Sequence, residues 1–407
     1  MKIRSITSFV DPKIDRLDAQ FEPLSRFSRE LRSAIEAEGF EVESTRLATS
    51  PFSGWLSGSL EAQTLQLEKI ETAVKSFGWD YLSVGPASPD SHDAYPMIPD
   101  FLAATQFVFF GGIVSDQRAV YPSAVMACAK IIQQASTLSP DGFANLRFAA
   151  LANVPPYAPF FPAAYHAAGE PQAFSLAMEC ADVAVKAFSS ATTLEQARSQ
   201  FLFSLESAAD RLAPICTQIS QEHQVNFKGF DFSPAPFPED WCSLGKAFEL
   251  LGLERIGSAG SLAAAAFIAD ALDDGTWQKV GFNGLMLAVM EDSVLARRAA
   301  DGELSVKDLL LYSAVCGTGL DTIPLPGDAS VDELAAILLD LASLATRLGK
   351  PLTGRLMPIP GKKVGDATEF EFGYFANSRV MKTDGQKVSA PLMSAAEISL
   401  KPRKMPM

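Results

Sequence analysis

The sequence predicts an α/β fold in which helices cover a largely parallel sheet. Runs of β-branched and aromatic residues alternate with longer amphipathic runs, and residues 2–10, 22–39 and 40–48 give the first strand-helix-strand unit. Most of these strands are apolar on both faces, which is typical of a buried parallel sheet. No long linker divides the 407 residues. We therefore expect one large domain over 1–407, an α/β barrel or, failing that, a doubly wound sheet.

The same alternation continues to the C-terminus. Further strands are predicted at 79–85, 106–114, 146–154, 224–233, 283–291, 352–360 and 368–375. Helices are predicted at 60–76, 118–136, 174–189, 194–222, 241–251, 262–272, 305–315 and 330–348. Ser330 and Glu333 predict a capping box for the last of these, and Gly349 predicts its end. Residues near 400–407 are expected to form a short flexible tail.

Charge and composition exclude several classes of protein. The formal net charge of −14 argues against nucleic-acid binding, which needs clustered Lys and Arg. No apolar run approaches the roughly 20 residues of a membrane span, and no secretory leader is visible, so a soluble cytoplasmic protein is expected. The five cysteines have no CxxC spacing, which indicates reduced thiols and not a structural zinc site.

Several long strings between residues 226 and 381 carry a resemblance to a known family. They are NFKGFDFSPAPFPED, MEDSVLARRA, LLLYSAVCGTGLDTIPLPGD and KPLTGRLMPIPGKKVGDATEFEFGYFANSRVM. With the N-terminal MKIRSIT, they resemble the DUF711 family, also called UPF0210. The resemblance implies a pyruvate-formate-lyase-like fold, a ten-stranded α/β barrel of two five-stranded halves with helices outside. It also implies an association with small ACT-domain proteins as candidate partners.

Glycyl radical enzymes of that fold carry a C-terminal Arg-Val-x-Gly-Tyr loop. Here Arg379-Val380-Met381 is followed by Lys382 and Thr383, so no glycine stands where the radical would form. The sequence therefore predicts neither radical chemistry nor a radical cofactor.

The stretch LYSAVCGTGLDTIPLPGD contains two candidate catalytic residues. Cys316 is a candidate nucleophile, but it ends a predicted helix, where the dipole disfavours a thiolate, so a small buried residue is the competing interpretation. Asp321 follows two glycines and precedes two prolines, which fix the backbone around it. Its carboxylate could meet a cation or a substrate hydroxyl, or form an Asx turn.

Two further carboxylates occur at or near strand ends. Asp231 lies in the aromatic strand FKGFDF, where burial without a partner would be costly, so we consider it an acid–base or metal-binding candidate; a water-facing strand end is the alternative. Glu291 ends the apolar strand NGLMLAVM, where α/β barrels carry reactive groups. Together with Asp321, these oxygens predict a site for Mg²⁺ or Ca²⁺.

Cationic and histidine side chains suggest how a substrate could be held. Arg355 within a strand and Lys362 on the following loop are candidates for binding a carboxylate or phosphate group, although loop lysines are commonly solvated. His92, on the Pro-bounded loop SHDAYPMIPD, is the best general-base candidate among the three histidines.

The segment GSAGS precedes the helix at 262–272 and could bind an anion through backbone N–H groups. A tight turn that needs small residues explains it equally well. It contains neither a P-loop nor GxGxxG, so no nucleotide cofactor is expected. The candidate anion-binding residues are Gly257, Ser258, Gly260 and Ser261.

These patterns favour a non-radical enzyme of the lyase or hydrolase type that acts on a small polar or anionic metabolite with help from carboxylates and a divalent cation. The alternative is a non-catalytic ligand-binding regulator that works with an ACT-domain protein. Apolar helices such as LAAAAFIADAL suit either a core or a contact between subunits, so a homo-oligomer is compatible with the sequence.

Overall fold

A computed structural model describes residues 1–315 and 317–402. The chain has a mixed α/β fold with a large central sheet and helices packed against it, which confirms the predicted fold class. None of the helices in the described ranges is both long and apolar enough to cross a membrane.

Within the described residues, eleven strands form the sheet. They are β1 (Lys2–Val10), β2 (Thr45–Thr49), β3 (Tyr81–Ala87), β4 (Val108–Ser115), β5 (Ala119–Val120), β6 (Phe148–Ala152), β7 (Ala173–Glu179), β8 (Asn226–Asp231), β9 (Gly319–Pro326), β10 (Leu352–Ile359) and β11 (Ile398–Ser399). The helices are α1 (Leu17–Ala37), α2 (Leu60–Ser76), α3 (Ile98–Ala104), α4 (Pro122–Ser136), α5 (Ala181–Ser190), α6 (Leu194–His223), α7 (Leu244–Leu250), α8 (Ser261–Asp274), α9 (Ser293–Ala300), α10 (Val306–Val315) and α11 (Val331–Leu348).

The strand order divides the sheet into parallel groups. Hydrogen bonding follows the path β8-β7-β1-β2-β3-β4-β6-β10-β9, with β5 and β11 attached beside β4. Strands β1, β2, β3, β4 and β6 pair in parallel, as do β7 with β8 and β9 with β10. Only the β1–β7 and β6–β10 junctions on this path are antiparallel. Strands β8 and β9 therefore end the path.

The segment from 278 to 291 runs near both of these end strands. Phe230 of β8 forms an isolated parallel bridge with Lys279, and Ala288 forms another with Asp321 of β9. No strand is assigned within 283–291, where the sequence predicts one. Isolated contacts on each side take the place of a continuous ladder.

Two other predicted elements differ from the structure. The helix predicted over 174–189 is a strand in its first part, because β7 ends at Glu179 and α5 begins only at Ala181. Residues of β7 are buried on both faces, and such a continuous apolar run cannot be distinguished from a buried helix by periodicity. The strand predicted at 368–375 forms no strand; Phe370 and Phe375 pack together in a separate aromatic cluster.

Strand β9 was not predicted, since its two prolines read as loop. Pro324 and Pro326 have no N–H to donate to a ladder. β9 is nevertheless continuous. Its ladder is formed with β10, and its other backbone contacts among the described residues include the bridge at Asp321 and a hydrogen bond from Met381 N–H to the Pro324 carbonyl. The tail predicted near 400–407 is anchored in its described part, where Leu400 N–H donates to the Arg118 carbonyl. Residues 403–407 lie outside the described residues.

Helix ends follow the local sequence closely. The capping box at Ser330 is present, with Glu333 N–H donating to the Ser330 hydroxyl, and Gly349 ends α11 in the left-handed conformation with φ 66°. Helices α4 and α11 pack against β4, β6 and β10, and α1 packs against β1 and α6. Their apolar residues join the strands in one large hydrophobic core.

Candidate functional site

A cavity of about 570 Å³ lies against the sheet and is lined by residues of β1, β2, β3, β9 and β10. Its wall contains many aromatic side chains, including Tyr81, Phe109, Phe161, Phe282 and Tyr374. Charged groups that line it come from segments far apart in sequence: Arg4, Glu43, Arg46, Arg147, Glu291, Asp321 and Arg355. A cavity of this size, with polar groups set in a largely aromatic wall, is typical of small-molecule sites.

β-Bulges position three of these charged residues. In the pairing of β9 with β10 the register shifts at Arg355, so that Asp321 and Thr322 both lie opposite it. In the pairing of β1 with β7 the register shifts at Arg4. A bulge redirects side chains locally and is common beside active sites.

The backbone at Thr322 is strained. Its φ of 45° lies in the left-handed region, which is unusual for a β-branched residue. The Thr322 hydroxyl accepts a hydrogen bond from Met290 N–H (3.3 Å), which ties β9 to the segment before α9. Strain of this kind costs about 1–3 kcal/mol and clusters at functional sites. It lies directly beside Asp321.

Arg4 is the first of two arginines that organise the buried charges. Its Nη1 donates to Glu179 Oε2 at 2.6 Å, and its Nη2 donates to Glu291 Oε2 at 2.8 Å. Glu43 Oε2 lies 3.6 Å from Arg4 Nη1, a longer ion pair. Burial disfavours the charge on Arg4, but Glu291, Glu43 and Glu179 outweigh it and raise the Arg4 pKa.

Arg355 is the second organising arginine. Its Nη2 donates to Glu291 Oε1 at 2.7 Å and its Nε donates to Asp321 Oδ1 at 2.5 Å. Glu291 therefore bridges the two arginines with both oxygens. We call Arg4, Arg355, Glu43, Glu179, Glu291 and Asp321 the charge cluster.

Burial raises the pKa of Glu291 and of Glu179 in the charge cluster. For Glu291 the effect of burial is opposed by Arg355 and Arg4. For Glu179, burial raises the pKa to about 7, against the pull of Arg4. Repulsion from neighbouring carboxylates adds a smaller upward effect, from Asp321 and Glu43 on Glu291 and from Glu43 on Glu179.

Arg46 differs from both of these arginines. It forms no ion pair with a carboxylate in the part of the chain that the structure describes. Its Nε donates to Ser44 Oγ at 2.9 Å, and its guanidinium carbon lies 5.5 Å from the Tyr81 ring centroid and 5.3 Å from that of Phe161. Burial and the nearby Arg4 lower the Arg46 pKa to about 10. The arrangement leaves Nη1 and Nη2 without a hydrogen bond to any described residue.

Arg147 also lines the cavity without a carboxylate partner among the described residues. Its Nη groups donate to the Leu102 carbonyl (2.6 Å), the Val108 carbonyl (3.3 Å) and the Thr105 hydroxyl (3.2 Å). Burial lowers its pKa. These bonds join the end of α3 to the start of β4, which gives Arg147 a structural role.

Asp231 lies apart from the charge cluster and does not line the cavity. Oδ1 accepts hydrogen bonds from Ser233 N–H, the Ser233 hydroxyl and Asn283 N–H, and Oδ2 accepts one from Phe282 N–H at 2.7 Å. Burial raises the Asp231 pKa against these bonds. A side chain at Gly281 would place its Cβ 2.3 Å from Asp231 Oδ2, so only glycine fits there. Through these hydrogen bonds, Asp231 holds the end of β8 against residues 281–284.

The structure thus brings two of the three predicted metal ligands, Glu291 and Asp321, to one place, around Arg355. The described residues contain no group of three or more His, Cys, Asp or Glu side chains arranged to hold a metal ion. Three of the four oxygens of Glu291 and Asp321 already accept hydrogen bonds from guanidinium groups.

The other candidates lie away from the cavity. His92 is exposed and contacts Ser123 Oγ through Nε2 (3.2 Å), and Lys362 pairs with Glu369 (2.8 Å). Within GSAGS, Gly257 N–H donates to Ser261 Oγ and the Ser258 hydroxyl donates to the Arg255 carbonyl, so these polar groups are already hydrogen-bonded within or beside the segment. Gly260 has a left-handed backbone conformation just before α8. Cys316 lies outside the described residues.

The residues that sequence reasoning missed are Arg4, Glu43, Arg46 and Tyr374. Arg4 and Arg46 also lie in predicted strands, but Ser5 follows Arg4 and Ser44 and Thr45 precede Arg46, so the apolar context that identified Arg355 is weaker there. Tyr374 lies in a segment predicted as strand. Burial raises its pKa, and the nearby Glu43 carboxylate adds to the effect.

Comparisons with known proteins show the family to which the chain belongs. A family model described as "Uncharacterised ACR (DUF711)" matches residues 1–377. A UPF0210 protein of Pyrobaculum aerophilum is 32% identical over 424 residues, which cover 97% of this chain and 92% of the relative. One of Pyrobaculum islandicum is 33% identical over 398 residues, with 90% and 87% covered. The resemblance found in the sequence is confirmed, and the chain belongs to the DUF711 family.

Proposed function

We propose that this protein is a non-radical enzyme that binds a small organic acid in the cavity and acts on it by proton transfer. The observation that carries the proposal is Arg46, a guanidinium that lines an aromatic cavity without a carboxylate partner among the described residues. Arg46 is half-buried, and its Nη1 and Nη2 have no hydrogen-bond acceptor among the described residues, so an anion in the cavity would complete them. A carboxylate accepts two parallel N–H bonds from such a guanidinium.

The surroundings of Arg46 support this assignment. Ser44 accepts a hydrogen bond from Arg46 Nε and donates its own proton to the Arg4 carbonyl (2.7 Å), so the guanidinium is fixed from the strand side. Tyr81 and Phe161 restrict it further through their rings. A positioned arginine loses little entropy when it binds its ligand.

Asp321 is the residue that we assign to proton transfer. Arg355 Nε occupies Oδ1, and no described residue donates to Oδ2. The strained backbone and the bulge hold the side chain at the cavity wall. Glu291 is less suitable as a base, because both of its oxygens accept hydrogen bonds from arginines. Because arginines occupy three of the four oxygens of Glu291 and Asp321, these carboxylates do not fit a divalent-cation site, and the proposed reaction uses no metal ion.

A thermal-shift titration with 3-phenylpropanoate tests the binding half of the proposal. We expect stabilisation of the wild type and of Arg26→Gln, an exposed arginine on α1, and loss of at least about 2 kcal/mol of binding energy in Arg46→Gln. Equal responses of the two variants would refute the role of Arg46.

Deuterium incorporation from D₂O tests the catalytic half without knowledge of the product. A panel of organic acids is incubated with the protein in D₂O, and the loss of the proton α to the carboxylate is followed by NMR. Wild-type protein should exchange this proton for at least one bound acid, and Asp321→Asn should slow the exchange by about 10²-fold or more. Binding through Arg46 with no exchange for any bound acid would make the protein a binder and not an enzyme of this kind.

The proposal also concerns whether the sheet closes into a barrel. We propose that the segment 278–290 closes the sheet between β8 and β9 into a ten-stranded barrel of two parallel halves. The isolated bridges at Lys279 and Ala288 support closure, as do Phe230 N–H donating to the Gln278 carbonyl (2.8 Å) and Val289 N–H donating to the Asp321 carbonyl (3.1 Å). Such closure would enclose the cavity and strengthen its electrostatic interactions.

A further inference from the structure

We infer that the organic acid is an amino acid with an apolar side chain, bound as a zwitterion with its carboxylate on Arg46 and its ammonium group on Glu43. The inference rests on the proposed function, since it uses the same cavity and the same arginine. It adds the chemical class of the ligand and a residue that selects it.

The cavity offers both signs of charge in unmatched form. Arg46 contributes a cation without a carboxylate partner among the described residues. Glu43 contributes a carboxylate whose nearest guanidinium nitrogen, Arg4 Nη1, lies 3.6 Å away. A simple organic acid would complete Arg46 but would leave Glu43 without a close cationic partner. A ligand that carries an ammonium group relieves both.

Glu43 is the carboxylate best placed to receive the ammonium group. The other three carboxylates of the charge cluster each accept a short hydrogen bond from an arginine, at 2.5–2.8 Å, whereas Glu43 lies 3.6 Å from the nearest guanidinium nitrogen. Glu43 lines the cavity, as Arg46 does three residues later. Its charge also raises the pKa of Arg46, so the two groups act on each other.

Thr318 also lines the cavity, and the residue is only 3% exposed. Its hydroxyl has no hydrogen-bond partner within the described residues. Buried hydroxyl groups are nearly always hydrogen-bonded, so a polar ligand group that reached this oxygen would satisfy it.

The rest of the cavity predicts the side chain of the ligand. Phe160, Phe161, Phe282 and Met286 line it, and its volume of about 570 Å³ far exceeds what an ammonium and a carboxylate group fill. An apolar side chain would displace water from these surfaces, which contributes about 25 cal/mol per Å² of buried apolar area. A large apolar amino acid therefore fits the site better than a small polar one.

The test uses three probes with one common phenyl body: L-phenylalanine, 3-phenylpropanoate without the ammonium group, and 2-phenylethylamine without the carboxylate. Calorimetric titration of the full-length protein should give an affinity for L-phenylalanine about tenfold or more above that for either analogue. Glu43→Gln should remove this preference, leaving the affinity for 3-phenylpropanoate unchanged within about threefold. Arg46→Gln should weaken both acids. Glu22→Gln, an exposed change on α1, is the matched control and should alter none of these affinities.

The outcomes separate this inference from the proposed function. If 3-phenylpropanoate binds as tightly as L-phenylalanine and both depend on Arg46, the amino-acid assignment is wrong while the acid site stands. If L-phenylalanine does not bind at about 10 mM although 3-phenylpropanoate does, the assignment is equally refuted. If 2-phenylethylamine binds best and Arg46→Gln changes nothing, both assignments fail. Circular dichroism of each variant establishes that it is folded before titration.

Discussion

At the scale of single residues, Arg46 is a half-buried cation without a carboxylate partner among the described residues. Partial burial and the nearby Arg4 disfavour its charge in the folded state, although its contacts with Tyr81 and Phe161 offset part of this cost. We predict that Arg46→Gln leaves the free energy of unfolding unchanged within about 1 kcal/mol, or increases it, while abolishing acid binding. Urea denaturation without ligand measures this. A loss of several kcal/mol would mean that Arg46 is a structural residue.

Glu179 gives a prediction for pH. Its pKa is raised from 4.5 to about 7, so between these values the folded protein retains a proton that the unfolded chain has released. Because the folded state binds more protons than the unfolded state in this range, Glu179 makes its full contribution to the free energy of unfolding below pH 4.5. This contribution decreases as the pH rises through 7. The wild type should therefore lose up to about 3 kcal/mol across this window relative to Glu179→Gln. Parallel stability curves for the two proteins would contradict the shift.

At the scale of elements, the segment opposite β8 can be tested with two glycines. Gly229 has φ 128°, and a Cβ there would lie 2.4 Å from the Gln278 carbonyl oxygen. Gly39 also has a positive φ, 91°, but open space around it. Gly39→Ala therefore measures backbone strain alone, about 1 kcal/mol. Gly229→Ala should cost at least about 2 kcal/mol more, because it also pushes residue 278 away from β8.

Equal losses in the two glycine variants would show that residue 278 is free to move away from β8. The segment would then not be held as a closing strand. Chemical denaturation of both variants under one set of conditions gives the comparison directly.

What the sequence could predict at this scale follows from local physics. The capped helix α11 and the apolar strands β1 and β10 were predicted within a few residues, because caps and burial leave local patterns. Strand β9 was missed because Pro324 and Pro326 are strand-compatible only where few ladder bonds are needed, which depends on its neighbours. The register shift that sets Asp321 opposite Arg355 likewise arises from pairing and has no local signature.

At the scale of the whole molecule, the charge cluster joins segments from both ends of the chain. Arg4 near the N-terminus bonds Glu179 and Glu291, and Arg355 extends the network to Asp321. The sequence suggested that distant carboxylates would be gathered around a cation. Glu291 and Asp321 are indeed gathered, but around arginines of the chain itself, and Asp231 lies elsewhere. Which carboxylates converge depends on strand order, which local patterns do not encode.

Loss of Arg4 should therefore weaken the entire fold. We predict that Arg4→Met costs about 3–5 kcal/mol at pH 7, because it leaves Glu179 and part of Glu291 buried without their partner. The cost should be smaller near pH 5, where these carboxylates can take up protons. Lys2→Met, which removes an exposed pair with Glu41, is the control and should cost less than about 1 kcal/mol. If the cost of Arg4→Met did not change with pH, the loss of stability would not arise from the ionisation of these glutamates, and the prediction would be wrong.

The claim that Arg46 receives the acid group of a ligand is tested most directly by a crystal structure of the protein with 3-phenylpropanoate or L-phenylalanine. We expect carboxylate oxygens about 2.7–2.9 Å from Arg46 Nη1 and Nη2, with the phenyl ring against Phe161 and Phe282. A structure in which Arg46 pairs with a carboxylate of the protein, while the ligand lies elsewhere, would contradict it.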